Sequence, residues 1–236
     1  MNRFVLMLLR NLHRFPGAYS KLCRYAKDTD RYPEAEKWAH IRYIMGLGIK
    51  AGNVQLQVTG LENIPRQPGF MLYGNHQGMF DVMAIAASCE APLGAVYKKE
   101  LKDTPLLKQV FACTQSYAMD REDARQSLTV IREVTNQVKA GRNYLIFPEG
   151  TRSKQGNTMG PFHSGSFRCA LKAGCPIVPM ALIDCFKVLD QKGSAPVTAQ
   201  LHYLPAIPYE EYRELNTTQL AALVKERIQA CIDAHT

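Results

Sequence analysis

At 236 residues the chain has room for one α/β domain with a small appendage and a sizeable core. Its 16 Gly, 13 Pro and 46% hydrophobic residues exclude collagen, coiled coil and wholesale disorder. No stretch approaches the roughly 20 uncharged apolar residues that span a bilayer. The net charge of +8 is concentrated at the start, where residues 1–50 hold ten basic and four acidic side chains. That asymmetry points to an anionic partner surface. No nucleic-acid-binding motif accompanies the charge, so the expected partner is an anionic phospholipid membrane and not a nucleic acid. Seven cysteines without a C-x-x-C fit reduced thiols in a cytosolic setting, and no metal-ligand spacing appears among them and the six histidines.

In chain order, the first predicted helix begins in the apolar run Phe4-Val5-Leu6-Met7-Leu8-Leu9. It places Phe4, Leu8, Leu12 and Phe15 on one face, with Arg10, His13 and Arg14 around the other side. A second starts at Pro33 and runs to Gly46 or Gly48, with Trp38, Ile41 and Met45 in a stripe flanked by Lys37 and Arg42. Basic amphipathic helices of this kind suit either an interfacial anchor or packing onto the domain behind. The expected organisation is a two-helix membrane-interaction segment over 1–52 and an α/β domain over 53–236, peripheral or monotopic on the cytoplasmic face of the cell membrane.

Residues 54–59 alternate apolar and polar as a half-buried strand does. Apolar runs at 70–73, 93–97, 116–119, 144–147, 177–183 and 197–204 read as strands buried on both faces. Helical stretches at 79–88, 106–113, 123–140, 164–173 and 216–234 separate them. The pattern predicts an α/β fold with a mostly parallel central sheet and helices on both faces. In such sheets chemistry gathers at the strand carboxyl ends. Those ends carry Asn75-His76, Lys98-Lys99-Glu100, Asp120-Arg121 and the segment Pro148–Arg152.

His76 and Asp81 are five positions apart, about 140° around an ideal helix, and could not touch on one. They meet if His76 lies in the turn and Asp81 in the first turn of the helix, with Gly78 permitting a tight entry. The carboxylate would then fix the imidazole tautomer and leave the other nitrogen to accept a proton from an alcohol. In Phe147-Pro148-Glu149-Gly150-Thr151-Arg152-Ser153, Arg152 is suited to fork onto a phosphate and Thr151 or Ser153 to donate hydrogen bonds, with an ordinary glycine turn as the alternative. Lys99 and Arg121 are placed to hold an anion. Gly46-Leu47-Gly48-Ile49-Lys50-Ala51 imitates a dinucleotide fingerprint but is followed at once by a strand. Ser164 and Ser166 near His163 do not form G-x-S-x-G.

Asn75-His76-x4-Asp81 followed by Phe147–Ser153 resembles the glycerolipid (lysophospholipid) acyltransferase family, in particular its bacterial 1-acylglycerol-3-phosphate acyltransferases. Tyr117–Arg121, Lys99-Glu100-Leu101 and Ile177-Val178-Pro179-Met180-Ala181 resemble the family's intermediate blocks, so the likeness covers roughly residues 54–205. It implies transfer of a fatty acyl group from acyl-CoA or acyl carrier protein to the sn-2 hydroxyl of lysophosphatidic acid. On that pattern His76 is the general base, Asp81 its orienter, and Arg121, Arg152 and Lys99 hold the phosphate. Glu149, Gly150 and Thr151 would belong to the acceptor site. No metal or redox cofactor is called for. Glycerol 3-phosphate or another lysolipid as acceptor, and a non-catalytic phospholipid-binding module, are the alternatives. Gly78 departs from the pattern, where Ser is common.

Overall fold

The computed structural model describes residues 2–236. Three helices come first: α1 (Arg3–Arg10), α2 (Phe15–Lys27) and α3 (Glu34–Ala51). They are followed by β1 (Val54–Thr59), β2 (Met71–Gly74), α4 (Phe80–Ser88), β3 (Leu93–Lys98), α5 (Leu107–Cys113), β4 (Tyr117–Met119), α6 (Ala124–Lys139) and β5 (Asn143–Ile146). The remainder comprises α7 (Arg168–Ala173), β6 (Ile177–Ile183), α8 (Phe186–Leu189), β7 (Val197–Tyr203), α9 (Tyr209–Tyr212) and α10 (Thr217–His235).

The strands form one sheet in the order β1-β7-β6-β2-β5-β3-β4. Every neighbouring pair is parallel except β6 with β7. β2, β5 and β6 are buried along their whole length because helices cover both faces, which is why they read as unbroken apolar runs. Side chains alternate between two cores. Phe70, Leu72, Leu145, Val178 and Met180 pack with Leu22, Trp38, Ile41 and Phe80 on one side. Met71, Tyr73, Tyr144, Ile177 and Ala181 pack with Val134, Phe167, Val224 and Ile228 on the other.

The N-terminal helices differ from expectation in number and in facing. Asn11 caps α1, its amide donating to Met7 O (2.9 Å) and Leu47 O (3.2 Å), and the chain turns before α2 starts. Pro16 sits in the first turn of α2, where its missing N–H leaves no hydrogen bond unmade. Trp38, Ile41 and Met45 of α3 are buried in the core, and Trp38 Nε1 donates to Cys89 O at 3.1 Å. The apolar stripe of α3 therefore packs on the domain. Part of the basic excess also turns inward. Arg3 is buried and donates to Val188 O, Gly52 O and Ala195 O at 2.8–2.9 Å, and Lys37 donates to Thr29 O at 2.7 Å. α1 alone keeps a large apolar face outward: Phe4, Val5, Leu8, Leu9 and, just past its end, Leu12 are exposed. Among the described residues no helix is long and apolar enough to cross a membrane.

Candidate active site

β2 ends at Gly74 and hands Asn75 and His76 to the carboxyl edge of the sheet. The Asn75 amide pairs with both the N–H and the C=O of Leu182 at 2.8 Å, so it extends the β2–β6 ladder beyond the strand and fixes where the next residue emerges. His76 is then held by its backbone on both sides. Its N–H donates to Glu149 Oε1 (2.7 Å) and its C=O accepts from Ser153 N (2.9 Å). Two segments more than 70 residues apart in sequence thereby form one edge.

His76 Nδ1 lies 2.7 Å from Asp81 Oδ2. Asp81 is fully buried in the first turn of α4, where the positive end of the helix dipole favours a carboxylate. The same oxygen accepts from Gln77 N (2.6 Å) and Gly78 N (3.0 Å). Three donors converging on one acceptor put the imidazole proton on Nδ1 and the lone pair on Nε2. The ring lies flat on Phe147, with centroids 4.1 Å apart and 14° between planes, and a fifth of the side chain stays exposed. The turn-then-helix placement expected from the spacing is the one observed.

Gly78 lies in close approach to Asp190, so a larger residue there would have to push that carboxylate aside. A Cβ there would stand 2.2 Å from Asp190 Oδ2. Asp190 accepts from Met79 N through Oδ2 (3.1 Å) and from Arg152 Nη1 through Oδ1 (2.6 Å). Its carboxylate occupies the space that a larger residue 78 would need, and it ties Arg152 to the entrance of α4.

Glu149 points inward, accepting from His76 N and from Gly160 N, both at 2.7 Å. Burial pushes its carboxyl above the usual range, and the two N–H donors pull against that. It shapes the turn and presents no oxygen outward. Gly150 follows at φ +68°, and a Cβ on it would stand 3.2 Å from His163 Cδ2 and 3.7 Å from Arg121 Cζ. Arg121 therefore reaches the same turn from the end of β4. Among the described residues it has no carboxylate within ion-pairing distance, whereas Arg152 has Asp190.

Lys99 meets Asp120 Oδ2 at 2.5 Å and is half exposed, and Thr151 is exposed. The site thus gathers His76, Asp81, Glu149, Gly150, Arg121 and Arg152, with Lys99 joined through Asp120 next to Arg121. Sequence reasoning missed Asp190 and His163, and also Gln77, whose amide binds Asn157 Oδ1 (2.7 Å) and Cys185 N (2.9 Å) to lock two loops behind the histidine. Only the proximity of His163 to the Phe147–Ser153 segment hinted at any of these.

An imidazole oriented by a buried carboxylate, with a fifth of its side chain exposed, is suited to take a proton from a hydroxyl. Guanidinium groups at the same rim suit an anion on the molecule that carries it. Such an edge is suited to chemistry on an anionic alcohol. Residues 55–183 match the family model described as Acyltransferase, and the chain belongs to that family. It is 25% identical to the 1-acyl-sn-glycerol-3-phosphate acyltransferase of Borreliella burgdorferi over 80% of this chain and 76% of that one. The proteins of the same description in Salmonella typhimurium (30% identical) and Pseudomonas aeruginosa (33%) are matched over 63% and 59% of this chain, and over only 60% and 54% of their own lengths. The crystal structure of the 1-acyl-sn-glycerophosphate acyltransferase PlsC from Thermotoga maritima superposes with a TM-score of 0.81 over 98% of this chain and 94% of that one; at 19% identity this establishes the shared fold.

Proposed function

We propose that this acyltransferase moves a fatty acyl group from an acyl thioester, acyl-CoA or acyl carrier protein, to the sn-2 hydroxyl of 1-acylglycerol 3-phosphate, yielding phosphatidic acid. The 2.7 Å contact between His76 Nδ1 and the buried Asp81 carboxylate carries the reading. His76 Nε2 accepts the hydroxyl proton as the oxygen attacks the thioester carbonyl. Asp81 stabilises the imidazolium that results. The tetrahedral intermediate then expels the thiolate, which takes the proton back from Nε2. A thioester is already activated, so positioning and deprotonating the alcohol is much of what remains to be done. The direct test is to incubate the protein with 1-acylglycerol 3-phosphate and each thioester donor and to identify the product by mass.

Arg121 and Arg152 hold the acceptor phosphate, and Lys99 adds positive charge beside Arg121. Arg121 is the unpaired one of the two guanidinium groups, so the phosphate meets it without displacing a carboxylate; Arg152 must share its charge with Asp190. The Arg121→Ala substitution is therefore expected to raise the KM for lysophosphatidate about tenfold or more, with a smaller change in kcat, because a charge-assisted phosphate contact contributes on the order of 1.5–3 kcal/mol. An unchanged acceptor KM in steady-state kinetics would remove that role.

The exposed face of α1 docks on the anionic membrane from which the acceptor is drawn. Because α2 and α3 are part of the core, deleting the first 50 residues would unfold the protein, and point changes are the sounder probe. Replacing Leu9 and Leu12 together by Asp is expected to abolish most binding to phosphatidylglycerol-containing vesicles while leaving thermal unfolding unchanged. Full vesicle binding by this variant in a sedimentation assay would place the membrane face elsewhere.

A further inference from the structure

Away from the acyl-transfer edge, β7 and the last turn of α10 bring together His202, Cys231 and His235, whose ligand atoms all lie within 4.8 Å of one another. It is the one such convergence among the described residues. Cys231 and His235 are four apart and share a helix face, and His202 comes from the sheet beneath. The two imidazoles lie ring against ring at 4.3 Å. We propose that these three side chains form a binding site for one transition-metal ion of the zinc class, which fastens the end of α10 to β7.

The donor set argues the chemistry. One sulfur and two imidazoles are borderline-soft ligands that suit zinc and its neighbours and do not suit calcium or magnesium. Both rings already have the outer hydrogen bond that aims a ligating histidine. His202 Nδ1 is 2.8 Å from Thr59 Oγ1, and His235 Nδ1 is 2.8 Å from Cys231 O. His202 Nε2 donates to Gln200 Oε1 at 3.1 Å, a half-buried side chain that the ion displaces; with the proton then on Nδ1 toward Thr59 Oγ1, Nε2 is free to ligate. Ligands around tetrahedral zinc stand about 3.5 Å apart, so the triad must close by roughly 1 Å. The partners able to move are in place: His202 is buried and fixed by Thr59, whereas Cys231 is half-buried and His235 exposed on the final turn. The carbonyl end of a 19-residue helix also carries partial negative charge, which favours a cation there. Nothing in the sequence spacing alone reveals the site, because Cys-x3-His is a single pair and the third ligand lies on another element.

The test uses the full-length protein stripped of metal with a chelator. Equilibrium dialysis against zinc is expected to give one tightly held ion per chain, and cobalt to give a thiolate-to-metal absorption. Both signals should disappear in Cys231→Ser and in His235→Ala and persist in Cys23→Ser, a half-buried cysteine outside the triad. Thr59→Val, which removes the support of His202, should weaken zinc binding about 10–100-fold. Zinc should raise the unfolding temperature of the wild type and not of Cys231→Ser, whose metal-free unfolding temperature should match that of the metal-free wild type. Equal zinc binding by the wild type and Cys231→Ser, or a cobalt-thiolate band that survives the substitution, would overturn the site.

Discussion

Replacing His76 by alanine is expected to lower kcat by about 10²–10⁴-fold, the range that a positioned general base contributes. The fold should survive, because the ring is partly exposed and its backbone contacts to Glu149 and Ser153 do not depend on the side chain. The change should fall on kcat far more than on the acceptor KM, since the arginines that hold the phosphate are untouched. Initial-rate kinetics with lysophosphatidate and acyl-CoA, set beside a thermal unfolding scan, check both halves. Near-normal turnover in a folded His76→Ala protein would remove the base assignment.

Asp81→Asn should cost a similar factor in kcat by a different route. In the wild type, three N–H donors point at Oδ2, while Oδ1 is buried with no partner. An asparagine that keeps its oxygen toward the donors must bury its NH2 where nothing accepts from it, a cost of about 1–3 kcal/mol. One that turns its NH2 toward the donors repels them and drives His76 to the other tautomer, with the lone pair on Nδ1 and the base lost. In either orientation the negative charge that stabilises the imidazolium is gone. Because the two residues act as a unit, the double variant His76→Ala/Asp81→Asn should be no slower than His76→Ala alone. Multiplying losses in the double variant would show that the pair does not act as one device.

The strand order could not be read from the sequence, yet the strands themselves could. Runs such as 177–183 are apolar because both faces are covered, and that cause leaves its mark locally. The His76–Asp81 contact was legible for the same reason, since it depends on a five-residue spacing and one turn. What the sequence hid depends on distant partners. The Trp38 stripe is equally apolar whether it meets lipid or Ile41's neighbours in the core, and only the packing of α3 decides. Arg3 counts as positive charge in any tally, but its guanidinium binds three backbone carbonyls inside the protein. Asp190 carries no motif, and it is defined by Gly78, Met79 and Arg152 meeting it across more than 35 positions. α2 was hidden because Phe15 continues the stripe of the first helix, whereas the chain turns at Asn11 and a new helix opens at Phe15-Pro16.

In this mechanism the proton-accepting imidazole and the anion-gripping guanidinium groups serve one molecule. The most direct measurement compares kcat/KM for 1-acylglycerol 3-phosphate with that for the same monoacylglycerol lacking phosphate, in the wild type and in Arg121→Ala/Arg152→Ala. The wild type is expected to prefer the phosphorylated acceptor by a large factor, and the double variant to lose most of that preference while keeping its low rate on monoacylglycerol. A preference that survives intact without both arginines would contradict the account.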